Sequence, residues 1–439
     1  MSPKLTPELL PKRSSSSNLP HSFGVLDLTL LGLSSVLGTG VFVGIGIAVQ
    51  VADSGAIAAI ALAALLALWS ELSAAQLWIN RSAVSGTYEY GYHYLSPWLG
   101  FTAGWAFLLA KIASAATAAL GCAEYLLSAL GQTEVLWLIP IALGLVALLT
   151  LILLRGLHQA GFSNQLIVLV TLVSLLFFIG TALRQHSAFL LPPTAKPPIA
   201  SLLQATALMF VAYLGYGRMA YLGNAVRQPR RSIPQAIVLT LLVALVLYLG
   251  VVIAGISSLG VQGFGETVNT YLAPLSRGVQ KLSIAGGVQI VAVGAIVAML
   301  TVLLNLMLDC MQMLQSMAEQ QDIPWRFARF NATGTTPTVA VITVGSAIAC
   351  LIWIGDVRIT WSFSAFSALI YYAITHWAVL KLSPQERLYP RLFTQLGLGV
   401  CLFLAFWVNW RIWLVSLGLL VVGLIWRGIN QWVNEQSRE

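Results

Sequence analysis

Residues 38 to 42 read Gly38-Thr39-Gly40-Val41-Phe42, inside an apolar run from about Leu28 to Val49. Paired glycines there predict an interruption of the helix. In hydrocarbon each backbone N–H or C=O that leaves a helix costs several kcal/mol unless protein, water or a ligand satisfies it. The N–H groups starting the second half-helix suit a carboxylate, and the carbonyls ending the first suit a cation. The plainer reading is close helix packing, which glycine also permits. A second pair, Gly215 and Gly217, lies in Phe210-Val211-Ala212-Tyr213-Leu214-Gly215-Tyr216-Gly217 and predicts a second interruption.

Ionisable residues at depth are the other chemical signal. Lys111 stands in an apolar segment, where an unpaired ammonium costs at least about 2.5–3.5 kcal/mol on insertion scales. Three readings of Lys111 stay open: a titrating cation, a partner for an anionic substrate side chain, or an ion pair with a nearby acid. Arg218 lies just past the second glycine pair and has Asp309 or Glu71 as candidate partners, in a gate or structural ion pair. Thr171, Ser174, Thr301 and Asn305 offer oxygens for sodium, although such side chains commonly bond within their own helices. Glu124 faces either a cavity or the membrane interface.

These residues need an apolar scaffold. Of 439 residues only 9% are charged, the mean hydropathy is +0.85, and apolar runs of about 20 residues recur throughout. This composition predicts a polytopic all-α membrane protein and excludes a barrel, whose strands alternate in polarity. Spans are expected near 26–50, 56–79, 97–128, 135–154, 161–183, 201–222, 236–258, 284–315, 338–355, 359–379, 393–409 and 412–427. That is twelve in all.

Residues 1–23 are expected to form a disordered tail, 24–427 the membrane-spanning domain, and 428–439 a second tail. Within the domain, 24–183 and 201–380 would be two five-span repeats, with helices 11 and 12 at 393–427. An odd number of spans per repeat forces the second to enter from the opposite side, so the repeat is inverted. Lys12, Arg13, Arg155, Arg230, Arg231, Arg326, Arg391 and Arg427 gather on one side of this topology, which predicts cytoplasmic termini.

The net charge of +8 is dispersed through short loops, which argues against nucleic acid. Cys122, Cys310, Cys350 and Cys401 show neither disulfide nor metal spacing. No cofactor, metal or catalytic residue is expected. Of the five histidines only His376 falls within a span, and no nucleotide-binding loop is present. An intramembrane enzyme is therefore disfavoured.

The chain resembles the amino acid–polyamine–organocation superfamily of permeases, specifically the amino acid permeases. Gly38-Thr39-Gly40-Val41-Phe42 is similar to the family's Gly-Ser/Thr/Ala-Gly-Ile/Val-Phe signature. Glu71-Leu72, Ser85-Gly86-Thr87-Tyr88-Glu89-Tyr90 and Gly100-Phe101 with Gly104-Trp105 follow in the family's order. Pro229-Arg230-Arg231-Ser232-Ile233-Pro234-Gln235-Ala236-Ile237 is close to its Pro loop, and Met317-Ala318 with Ile323-Pro324 to a later one.

The resemblance implies a five-plus-five inverted repeat with interrupted helices 1 and 6, two extra helices, and alternating access. Thr39, Gly40 and Val41 would offer N–H groups to an amino acid carboxylate. Carbonyls around Phe210, Ala212 and Tyr213 would take its ammonium, and the rings of Phe210, Tyr213 and Tyr216 would line or cover the pocket. A lysine that some proton-coupled relatives carry in span 5 is replaced here by Thr171. Asn224, Ala225, Gln312 and Glu319-Gln320-Gln321 also depart from the pattern, removing ion pairs on the cytoplasmic side. The expectation is therefore a multi-pass amino acid or amine transporter of the cell membrane, coupled to a proton in preference to sodium, or an exchanger. A sensor or scaffold of the same fold is the alternative.

Overall fold

The computed structural model describes residues 23–80, 86–132, 135–156, 164–185, 198–215, 226, 228–268, 273–331 and 336–436. Tyr216, Gly217 and Arg218 lie outside them, as do both chain ends.

Among the described residues the regular secondary structure is helical, and the β contact is an isolated bridge between Phe23 and Val226. In order the helices are α1 Val25–Val36, α2 Ile45–Ala52, α3 Ala56–Asn80, α4 Thr87–Tyr90, α5 Pro97–Ala129, α6 Leu138–Leu154, α7 Asn164–Gln185 and α8 Ile199–Phe210. They continue as α9 Pro229–Glu266, α10 Pro274–Lys281, α11 Gly287–Glu319, α12 Thr338–Ile352, α13 Val357–Leu380, α14 Arg391–Ala405 and α15 Trp410–Gln436.

Among the described residues, eight helical stretches are long and apolar enough to cross a membrane. Four further apolar helices, Val25–Val36, Ile199–Tyr213, Thr338–Ile352 and Arg391–Ala405, are shorter. Length alone therefore yields fewer spans than the apolar runs suggest. One cause is a pair of early stops, where α1 ends at Val36 and α8 at Phe210. Another is the near-continuous run from Gly40 to Asn80, which turns at Asp53 on a left-handed φ of 51°.

Local chemistry sets the other ends. The Ser96 side chain accepts from the Leu99 N–H at 3.3 Å, with Pro97 at the first position of α5. Asp356 caps α13, accepting from the Arg358 N–H at 2.8 Å and pairing with the Arg358 guanidinium at 2.8 Å. Burial works against its charge, yet these bonds hold its carboxyl below the usual range. α15 continues to Gln436, through the stretch expected to be a tail.

α5 packs against α11 and α13 at the centre of the bundle. Its run Ala113-Ser114-Ala115-Ala116-Thr117-Ala118-Ala119 is buried, and such small side chains let helices approach closely. Ser114 and Ser364 hydroxyls meet at 2.6 Å, and Thr117 donates to Thr360 at 2.8 Å. Both bonds join α5 to α13.

Candidate functional site

After Val36 the backbone turns extended at Leu37 (φ −77°, ψ 92°). It winds again from Gly38, whose carbonyl accepts from the N–H groups of Val41 at 3.1 Å and Phe42 at 3.2 Å. A wide π turn, Gly40–Gly44, leads into α2. α8 tightens into a 3-10 turn over Val211–Tyr213 and becomes extended at Leu214 (φ −86°, ψ 135°). Both segments thus leave the α-helix inside the protein.

They also touch. A Cβ built on Gly40 would lie 2.5 Å from the Ala212 Cβ and 2.8 Å from its Cα. One on Gly215 would fall 3.0 Å from the Ser35 Cβ, and one on Gly38 2.5 Å from Val302 Cγ2 of α11. At these three positions glycine allows backbones to approach or accepts a neighbouring side chain. Tyr248 of α9 joins the two segments through its hydroxyl, 2.9 Å from the Val36 carbonyl and 2.8 Å from the Ala212 carbonyl. With one proton to donate, it satisfies these acceptors by sharing it.

Beside this junction lies a cavity of about 170 Å³. Ser35, Thr39, Gly40, Ala212, Gly215 and Trp361 line one part of it, and Phe107, Lys111 and Asp309 another. It reaches toward Trp78, Gly86, Tyr90 and Met313. Thr39 Oγ1 is buried without a hydrogen-bond partner among the described residues. Trp361 is fixed by its indole N–H, which donates to the Leu208 carbonyl at 2.9 Å.

The expected site residues divide. Thr39, Gly40, Ala212, Lys111 and Asp309 line the cavity. Val41, Phe210 and Tyr213 are buried and are not among the lining residues. The Val41 N–H is occupied by Gly38. Phe210 packs edge-on against Tyr372 at 5.4 Å between centroids, and Tyr213 lies 4.9 Å from the Tyr248 ring. The aromatic lining comes instead from Trp78, Tyr90, Phe107, Trp361, Tyr371 and Tyr372.

Lys111 Nζ lies 3.2 Å from Asp309 Oδ2 and 5.2 Å from the centroid of the Phe107 ring. Glu71, also on the wall, accepts from the Tyr372 hydroxyl at 2.6 Å. The Thr171 and Thr301 hydroxyls donate to the Ile167 and Val297 carbonyls of their own helices, both at 2.8 Å. Ser174 donates to the Val291 carbonyl at 3.3 Å, and Asn305 lines the cavity. Glu124 is buried, with Oε1 unpartnered among the described residues.

Several arrangements had no sequence signal. Arg427, expected on a cytoplasmic surface, is 1% exposed and donates from Nε to Asp322 Oδ1 at 2.9 Å. Tyr88 and Tyr92 donate to the other oxygen of Asp322, and Arg427 lies over the Trp98 ring at 4.7 Å. Ser70 and His376, in α3 and α13, meet at 3.2 Å. Both are fully buried, and His376 Nδ1 has no partner among the described residues to orient it for catalysis.

A bundle of apolar helices, with two segments that leave the α-helix beside a central cavity, defines a multi-pass membrane protein. The sequence model of the amino acid permease family matches residues 27–436, and the chain belongs to that family, whose members are transporters. An uncharacterized transporter of Mycobacterium tuberculosis is 32% identical over 432 residues, 98% of this chain and 96% of the relative. The branched-chain amino acid permease BcaP of Bacillus subtilis is 24% identical, covering 95% and 94% of the two chains. A methylthioribose transporter of the same species is 26% identical, covering 94% and 95%.

Proposed function

We propose that the protein is a secondary active transporter that moves an amino acid, or a related amine, across the cell membrane by alternating access. The observation that carries this is the junction of the two interrupted segments at Gly40 and Ala212, with the cavity against it. A helix start at Gly38–Gly40 presents partial positive charge to a carboxylate, and the unpartnered Thr39 hydroxyl adds a donor. The end of α8 around Ala212 presents carbonyls to an ammonium.

In this reading α1 with α2, and α8 with the segment after it, are the first spans of two inverted five-span repeats. α14 and α15 are the two extra helices, and both termini are cytoplasmic. Trp78, Gly86, Tyr90 and Met313 then lie toward the cytoplasm, and the conformation is inward-facing. We favour proton coupling over sodium.

Thermal shifts of the purified protein with each of the twenty amino acids, followed by proteoliposome uptake with and without an imposed pH gradient, test the reading. Stabilisation with flux is the expected result. Binding without flux would make the protein a sensor, and no response in folded protein would remove amino acids as its substrates.

A further inference from the structure

The cavity holds more charge than one amino acid backbone needs. Its first part offers backbone and hydroxyl groups at Thr39 and Gly40, and its second part is built around Lys111 and Asp309. The two parts are separated along α11. Val302 packs on Gly38, whereas Asp309 is seven residues further along the same helix, about 10 Å at 1.5 Å per residue. A ligand gripped by its carboxylate at Gly40 cannot also place its own α-ammonium on Asp309.

We propose that Lys111 and Asp309 form a second station for a zwitterionic α-amino acid, on the exit side of the first. The inference rests on the amino acid transporter reading and deepens it. Lys111 Nζ has three donors, of which the contact with Asp309 at 3.2 Å uses one, leaving others for a carboxylate. The Asp309 carboxylate has several acceptor sites, so it can receive an ammonium while still holding Lys111.

An amino acid lying head-to-tail beside the pair places each of its charges against the opposite one. Both side chains reach the cavity, Lys111 at 21% and Asp309 at 11% exposure. The Phe107 ring, 5.2 Å from Nζ, holds the ammonium against an aromatic face. The chemistry selects for adjacent opposite charges, so neither a carboxylic acid nor an amine alone satisfies both partners. A substrate leaving Gly40 would thus exchange one set of charge partners for another before it meets water.

Equilibrium dialysis of the full-length detergent-solubilised protein with each of the twenty ¹⁴C-labelled L-amino acids tests this. The expected stoichiometry is two per protein for accepted amino acids, one tighter and one weaker. Lys111→Met/Asp309→Asn, which removes both charges of the pair together, should reduce it to one. Thr39→Val should instead weaken the other site at least tenfold, and Lys111→Arg should keep both. A wild-type stoichiometry of one, or two sites that persist in the neutralised pair, would overturn the second station while leaving the transporter reading intact. No binding of any amino acid by folded protein would overturn both.

Discussion

Gly40 and Ala212 touch so closely that a methyl group on the first would lie 2.5 Å from the methyl of the second. The contact joins the start of one rewound helix to the end of another. It gives the glycine a role in packing, whatever the adjoining cavity binds. Gly40→Ala is therefore expected to push the segments apart at about 1–3 kcal/mol of overpacking and to reduce uptake more than tenfold. Adding Ala212→Gly removes the clashing methyl and should recover part of both losses, as read by thermal melting and proteoliposome flux. Equal losses in the single and double variants would show that the contact with the Ala212 backbone, 2.8 Å at Cα, sets the cost and not the methyl.

Tyr248 closes the same junction from α9. Its hydroxyl is the partner of carbonyls from both interrupted segments, at 2.9 and 2.8 Å. Tyr248→Phe preserves the ring against Tyr213 and removes only the donor. A loss of about 1–3 kcal/mol of stability is expected for each buried acceptor left unsatisfied. Substrate binding should weaken as the segments become less fixed relative to each other. A variant with unchanged melting and binding would mean that water replaces the hydroxyl without loss.

Much of the scaffold was legible because apolar runs and the first glycine pair are local signals. Gly38-Thr39-Gly40 marked a stretch that does leave the helix. What it bordered was not legible, since Val302 and Ala212 are distant in sequence. Phe210 and Tyr213 illustrate the limit: aromatic type does not reveal which way a ring points. Here they turn toward Tyr372 and Tyr248. Arg427 was misplaced for a related reason. A cation near the end of an apolar run ordinarily marks the membrane surface, but the extension of α15 carries this one inside against Asp322.

That pair should matter to stability. Asp322 is 2% exposed, and Arg427 1%, so removing one partner strands a buried charge. Asp322→Asn is expected to destabilise by about 3–5 kcal/mol, and Asp322→Asn with Arg427→Met by clearly less than the two single losses added. Melting of the four proteins in one detergent measures the coupling. Strict additivity would show that the contacts of Tyr88, Tyr92 and Trp98 hold the region without the ion pair.

Asp356 provides a pH-dependent counterpart outside the spanning helices. Its carboxyl is held below its ordinary value because, although burial opposes the charge, the Arg358 N–H and guanidinium bind the ionised form. A depressed carboxyl stabilises the fold fully above its unfolded value, near 3.9, and loses that contribution as pH falls through the lower folded value. Asp356→Asn keeps a side-chain acceptor for the cap but loses the charge. Wild type should therefore melt higher than the variant at pH 7, by an amount corresponding to about 0.3–1 kcal/mol for the lost charge. The difference should shrink as the pH is lowered past 4. A difference that stays constant across that range would assign the stabilisation to the neutral cap geometry and not to the ionised carboxylate.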